Sequence, residues 1–241
     1  PDSKIGDGIF ILTEEELQEK GISKTSRFIK PWYKNSDIQK YSSSLDPNLF
    51  VIYLQDQKKK QKIDQEILNH FKPFKELLTD RLKVCQKNKY QWNIVSKWLE
   101  RGEYYLLFYP RKQKIFKSNK IVVPQRSKTN TFAYNEVPWY ASADVYFITQ
   151  RDKNISLKYV LALLNSKLYY LWLYHRGKRK GETLELYATP LKEVPIKIIP
   201  PGEQQPFINL VDNILELSKG KQNPEAKVQQ AKLEKQIDHL V

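Results

Sequence analysis

The chain has 241 residues and a mass of 28.6 kDa, with 41 Lys and Arg against 27 Asp and Glu, a formal net charge of +14 and a pI near 9.5. That length suits one large domain or a domain with an appendage, and the 40% hydrophobic and 28% charged fractions exclude a disordered or membrane protein, while the surplus cations call for an anionic partner. One cysteine, Cys85, and three scattered histidines, His70, His175 and His239, exclude an internal disulfide and a multi-cysteine zinc site and make a reducing, cytoplasmic setting the default.

Along the chain, the apolar run Ile9 to Leu12 followed by Thr13-Glu14-Glu15-Glu16 predicts a strand entering a short acidic helix through a capping box. Pro31, Pro47 and Ser42-Ser43-Ser44 keep residues 28–53 from being one regular element, and short strands are expected there, one at Leu49 to Leu54. Lys58-Lys59-Lys60 leads into Ile63, Ile67, Leu68 and Phe71 at helical spacing. Pro73 restarts a second helix that sets Leu77, Leu78, Leu82 and Cys85 on one face.

From Tyr104 to Ile148 short aromatic and β-branched runs predict the sheet, with strands at Tyr104–Tyr109, Lys120–Pro124, Thr131–Tyr134 and Asp144–Ile148. Ser156 caps one long helix carrying Val160, Leu161, Leu164, Leu168 and Leu171, which Gly177 ends; Asn165 and Lys167 mark it as buried helix rather than membrane span. A further strand is expected at Val194–Ile199. Beyond Pro200-Pro201-Gly202 two amphipathic helices follow, divided at Gly220–Pro224. With no leader ahead of Pro1 and an uncapped helical pattern at Val241, the chain reads as part of a longer one.

Charge is unevenly placed: residues 1–19 hold one cation and six acids, residues 72–128 fifteen cations and four acids. Catalytic arrangements are not readable. Pro1-Asp2 with Asp56-Gln57-Lys58 or Glu225-Ala226-Lys227 fits a metal-dependent nuclease only by arithmetic. Cys85 lies on an apolar helix face with no histidine in a nucleophile motif, and eight glycines form no phosphate-binding fingerprint. What remains is cations interleaved with aromatic and hydrogen-bonding residues, the mixture a nucleic-acid surface uses. It occurs at Lys30-Pro31-Trp32-Tyr33-Lys34-Asn35, at Arg126-Ser127-Lys128-Thr129-Asn130, and at Arg176-Gly177-Lys178-Arg179-Lys180-Gly181. Each also reads as an ordinary solvated loop. The third is the most pointed, because two glycines let the backbone approach a phosphate.

Four blocks in this order resemble the TaqI-like C-terminal specificity domain, found after the methyltransferase part of fused restriction-modification enzymes and of related phage-defence methyltransferases. They are Phe28-Ile29-Lys30-Pro31-Trp32-Tyr33 through Ile38; His70-Phe71-Lys72-Pro73-Phe74 through Arg81 with Trp92 downstream; Lys120-Ile121-Val122-Val123-Pro124; and Leu161 through Leu168 continuing to Leu191-Lys192-Glu193-Val194-Pro195-Ile196. The Leu-Leu-Asn-Ser-Lys block with its Pro-Ile sequel is also similar to target-recognition domains of type I specificity subunits.

The resemblance implies a domain that recognises a short double-stranded DNA sequence and directs adenine-type methylation, and in some members cleavage, by parts outside this chain. No Asn-Pro-Pro-aromatic tetrapeptide or glycine-rich methyl-donor loop is present, so S-adenosylmethionine, and magnesium where cleavage occurs, are implied for the parent and not for this stretch. The expected partners are duplex DNA and an N-terminal methyltransferase part of the same parent. The fold expected is α/β (α+β), a mixed, mostly antiparallel sheet with packed helices, as residues 1–202 of a DNA target recognition domain. Residues 203–241 would then form a helical spacer or docking segment. Candidate DNA-binding residues are Lys30, Tyr33, Lys34, Lys120, Arg126, Ser127, Lys128, Asn130, Arg176, Lys178, Arg179 and Lys180, whereas Asn165 and Ser166 are expected to satisfy backbone groups. The competing readings are an RNA-binding or general basic adaptor, a nuclease with an unrecognised site, and a protein-interaction module built on the terminal helices.

Overall fold

The computed structural model describes residues 8–56, 62–108, 110–219 and 223–241. Pro1-Asp2, the Gln57-Lys58 half of the nuclease arithmetic, Tyr109 and Gly220 lie outside them. The chain gathers into two compact units, one of Pro1–Trp32 with Pro47–Lys112 and one of Tyr33–Asp46 with Gln113–Val241.

The first unit runs β1 (Ile11–Leu12), α1 (Glu14–Glu19), β2 (Ile29–Tyr33, whose last residue belongs to the second unit), β3 (Leu49–Ile52), α2 (Gln65–Phe71), α3 (Lys75–Lys83) and α4 (Lys89–Glu100). The expected capping box is present: Glu16 N–H donates to Thr13 Oγ1 at 3.2 Å and Thr13 N–H to Glu16 Oε2 at 2.7 Å. β3 lies between β1 and β2, antiparallel to both. Its core gathers Leu12, Ile52, Ile67, Phe71 and Val95. Pro73 has no N–H for a continuous ladder, and a single 3-10 turn, Lys72–Phe74, separates α2 from α3 there. On α3 the buried stripe is Leu78 and Leu82, one turn apart, and Leu77 faces solvent. Residues 104–108 form turns instead of the expected strand; Tyr104 and Leu106 enter the core, so the apolar run records burial rather than pairing.

The second unit runs α5 (Gln113–Lys117), β4 (Lys120–Pro124), β5 (Arg126–Ser127), β6 (Ala133–Asn135), β7 (Tyr140–Ala141), β8 (Val145–Thr149), α6 (Leu157–Asn165), α7 (Lys167–Arg176), β9 (Lys178–Lys180), β10 (Thr183–Glu185), α8 (Ala188–Glu193), α9 (Pro201–Lys219) and α10 (Pro224–Leu240). Two three-stranded antiparallel sheets result, ordered β6-β4-β8 and β5-β10-β9. Every residue of β4 is buried, because both of its faces are covered: Ile121 and Val123 pack with Leu161 and Leu164 of α6, and Val122 with Tyr33 and Trp139. The terminal helices place Phe207, Val211, Ile214, Leu233 and Ile237 in the α6 core.

In this unit the expected single long helix and the expected strand at Val194–Ile199 differ. The helix from Ser156 breaks at Ser166, whose extended backbone (φ −73°, ψ 163°) ends α6 and caps α7. There Asn165 binds both backbone groups of Phe132: Phe132 N–H donates to Asn165 Oδ1 (3.2 Å), and Asn165 Nδ2 donates to Phe132 O (2.9 Å). Asn130 Nδ2 in turn donates to Leu164 O (2.7 Å) and Ser166 O (2.8 Å), satisfying carbonyls that the end of α6 leaves open. Residues 194–199 form no strand, although Val194 itself is extended. The hydroxyls of Tyr169 and Tyr159 donate to Pro195 O (2.7 Å) and Lys197 O (2.8 Å), taking the place of a strand partner.

Candidate nucleic-acid interface

The segment expected as a solvated loop, Arg176 to Gly181, is half of a β-hairpin. β9 pairs with β10 as Lys180↔Thr183, Arg179↔Leu184 and Lys178↔Glu185, leaving Gly181-Glu182 as a two-residue turn. Gly181 has φ 58°, the left-handed region that such turns require at their first position. Gly177 serves close packing: its N–H donates to Leu173 O (3.0 Å), and a Cβ there would lie 2.4 Å from that oxygen. Both glycines thus have conformational reasons of their own.

β10 also pairs with β5, as Leu184↔Ser127 and Glu185↔Arg126. Two clusters about fifty residues apart in the chain thereby become the two edge strands of one small sheet, and strand alternation sorts their side chains. Leu184 is buried in the core, so its row, Arg179–Leu184–Ser127, faces inward or along the edge, and the Arg179 guanidinium lies 3.8 Å from the centroid of the Tyr174 ring on α7. The other face carries the cross-strand row Lys178–Glu185–Arg126, with Lys180 beside it. The only acid in that row, Glu185, is buried and holds both neighbours: Arg126 Nη2 at 3.1 Å and Lys178 Nζ at 3.3 Å. Burial drives the Glu185 carboxyl upward, but hydrogen bonds from Tyr187 and Lys178 and the two cationic charges outweigh it and hold the group below its ordinary value. Tyr187 completes the arrangement by donating to Glu185 Oε1 (3.1 Å) and accepting from Arg126 Nη2 (3.0 Å). The guanidinium is therefore fixed on one side before any ligand arrives. Lys128, Arg176 and Lys180 are exposed around the same sheet, Arg176 at the C-terminal end of α7, where the helix dipole favours a cation. Ser127 is half-buried, its Oγ 2.8 Å from Thr131 Oγ1.

Three expected contact residues are interior, a correction to the sequence reading. Tyr33 is buried, stacked on Trp139 at 4.6 Å between ring centroids, with its hydroxyl donating to Leu45 O and pushed up to about 12, by burial first and by Asp46 and Asp37 second. Lys120 has no exposed surface; its ammonium donates to Val137 O (2.7 Å), Asn135 Oδ1 (3.0 Å) and Ser118 O (3.1 Å), and burial pushes it down to about 8. Asn130 is the buried clasp on the end of α6. A side chain without exposed surface offers nothing to a groove. Lys30 is half-buried on β2 in the first unit, its ammonium bonded to Arg27 O; Lys34 is exposed just past that strand, its N–H on Asp37 Oδ2 at 2.7 Å. Sequence reasoning missed Glu185, Tyr187 and Tyr174. The alternation Thr183-Leu184-Glu185-Leu186 after Gly181 was the signal that would have revealed the hairpin.

Among the described residues no helix is long and apolar enough to cross a membrane, and no three His, Cys, Asp or Glu side chains group as a metal site. The arrangement presents charge and hydrogen-bond donors on a rigid support.

The described residues thus form a mixed α/β fold with antiparallel sheets, packed helices and a terminal helical pair, one of whose small sheets carries an ordered cluster of cations. The model of the TaqI-like C-terminal specificity domain matches residues 11–196, and the chain belongs to that family. It is 31% identical over 104 residues to the type II methyltransferase M.HincII of Haemophilus influenzae, covering 40% of this chain and 21% of that protein. To M.HindII of Haemophilus influenzae strain Rd it is 32% identical over 97 residues, covering 37% and 19%. The chain spans about a fifth of the length of these curated relatives. In fold it is similar to the type IIG restriction endonuclease BpuSI, with a TM-score of 0.51 at 11% identity, over 99% of this chain and 29% of that one.

Proposed function

We propose that this chain is the sequence-specific duplex-DNA recognition domain of a restriction-modification enzyme or DNA methyltransferase, directing adenine-type methylation, and cleavage where the parent has it, by parts outside these residues. The observation that carries the reading is the β5-β10-β9 sheet, which aligns Arg126, Lys178 and Lys180 on one face of a domain whose relatives are type II methyltransferases. Lys180, Lys128 and Arg176 on exposed stems, with Lys178 beside Glu185, neutralise phosphates; Arg126, whose planar guanidinium is held by both Glu185 and Tyr187, is the residue whose orientation is fixed enough to read a base edge. Arg179, drawn to Tyr174, lies at the rim. S-adenosylmethionine, and magnesium for cleavage, act on the parent's other part, and the helices from Pro201 onward dock the domain against it, in a cytoplasmic setting.

The test is selection of bound duplexes by the chain, followed by competition with structured RNA at fixed salt. Lys178→Ala and Lys180→Ala are expected to weaken every duplex alike and each lower the log–log salt slope by roughly 0.9, whereas Arg126→Ala costs about 1–3 kcal/mol on the selected sequence and relaxes one position. Equal competition by structured RNA, or cognate binding indifferent to all three changes, refutes the assignment.

A further inference from the structure

The first unit carries a second cationic surface that neither the motif reading nor the hairpin accounts for. Between α3 and α4 the chain turns through one 3-10 segment, Val84–Lys87, and Asn88 caps α4 by accepting from Gln91 N–H at 3.1 Å. The turn and the outer face of the helix are exposed: Lys87, Lys89, Tyr90, Asn93 and Lys97 all face solvent. Tyr90, Asn93 and Lys97 recur at i, i+3 and i+7, and Lys89, Asn93 and Lys97 at i, i+4 and i+8, so they form a single stripe. The opposite face buries Val95 and Trp98, which fixes how α4 rolls on its unit. Lys83 is taken up by Asp80 at 2.9 Å, but Lys87, Lys89 and Lys97 form no salt bridge among the described residues. Tyr90 is 73% exposed, far more than a tyrosine's apolar ring favours in water.

We infer that this stripe is a second duplex-DNA contact surface, separate from the β5-β10-β9 sheet. Charge complementarity argues the occupant. The turn and the stripe together hold three ammonium groups, Lys87, Lys89 and Lys97, that form no salt bridge among the described residues; the one acid of α4, Glu100, stands one turn beyond Lys97 at the helix end, and the side chains between Lys89 and Lys97 on the stripe are an amide and a phenol, donors suited to phosphate and sugar oxygens. A helix of twelve residues extends roughly 18 Å, enough to follow several phosphates along one strand. The inference rests on the duplex-recognition reading above but concerns different residues.

The experiment measures binding of the full chain to a selected duplex and to a scrambled one over a range of salt concentrations, comparing Lys87→Ala/Lys89→Ala/Lys97→Ala with the Lys178→Ala/Lys180→Ala pair. The triple variant alters only exposed side chains, and an unchanged melting temperature verifies its fold. The expected result is a salt slope lowered by about 2 to 3, with affinity for both duplexes reduced by a similar factor, on the order of 10²-fold at 0.1 M salt. A slope and affinity equal to wild type overturn the second surface. If that happens while the β9 pair still weakens binding, only this inference falls; if neither variant matters, the duplex reading falls with it.

Discussion

Replacing Asn165 with leucine, which has the same number and branching of heavy atoms but bulkier methyl groups, leaves no cavity and removes the polar clasp between α6 and the strand edge at Phe132. Asn165 is 1% exposed and Phe132 fully buried, so water cannot replace what is lost. The Phe132 carbonyl retains a second partner, Tyr41 N–H at 2.8 Å, and loses only a bond worth about 0.5–1.5 kcal/mol; the Phe132 N–H has no other acceptor shown, and orphaning it costs about 1–3 kcal/mol. Together these predict a loss of roughly 2–4 kcal/mol, lowering the melting temperature by about 5–15 °C for a domain of this size. Urea titration gives the free energy directly, and an unchanged m-value is expected because no surface is newly exposed. The neighbouring Asn130 holds Leu164 and Ser166 from the other side of the same break, so an Asn130/Asn165 double-mutant cycle is expected to show coupling of about 0.5–3 kcal/mol. A variant within about 0.5 kcal/mol of wild type, the range of an ordinary surface change, would refute the claim that this clasp holds the α6–α7 break and the loop that leads to Arg126.

Two further outcomes follow from buried or strained positions. Lys120 sits at about 8 in the folded chain, below its ordinary value, so between there and the unfolded value the unfolded chain binds more protons and stability rises with pH. Chemical denaturation from pH 7 to 9.5 is expected to show that rise in wild type and its loss in Lys120→Met; parallel profiles would contradict it. A Cβ at Gly181 meets no atom within 4 Å, so Gly181→Ala is penalised only by the positive φ, about 1–2 kcal/mol in melting experiments, whereas Gly181→Asn is expected to lose less than half of that.

Much of the architecture was legible because the physical signals are local. Thr13 and Glu16 announce their cap, Pro73 its break, and Phe207, Val211 and Ile214 the stripe of α9. Non-local pairing was not legible. Lys178-Arg179-Lys180 has little intrinsic tendency to form a strand, and becomes one only because Thr183–Glu185 pairs with it on one side and with Arg126-Ser127 on the other. The interior positions of Tyr33, Lys120 and Asn130 were hidden for a related reason: a polar side chain carries no sign of its own burial, and each is retained there by acceptors from distant residues, Leu45, Val137 and Leu164. The division into units was equally hidden, since residues 33–46 join a body that resumes only at residue 113.

The sheet that unites Arg126 with Lys178 has a parity that constrains how it can be remodelled. Because successive residues of β9 alternate between the Glu185 side and the Tyr174 side, inserting one residue ahead of the Gly181 turn would exchange them, turning Arg179 outward and both lysines toward the helix. Lengthening the strand by two would move the cations along the sheet and keep them on the same side. Redesign of the reach of this edge is therefore expected to succeed in steps of two residues and to fail in steps of one.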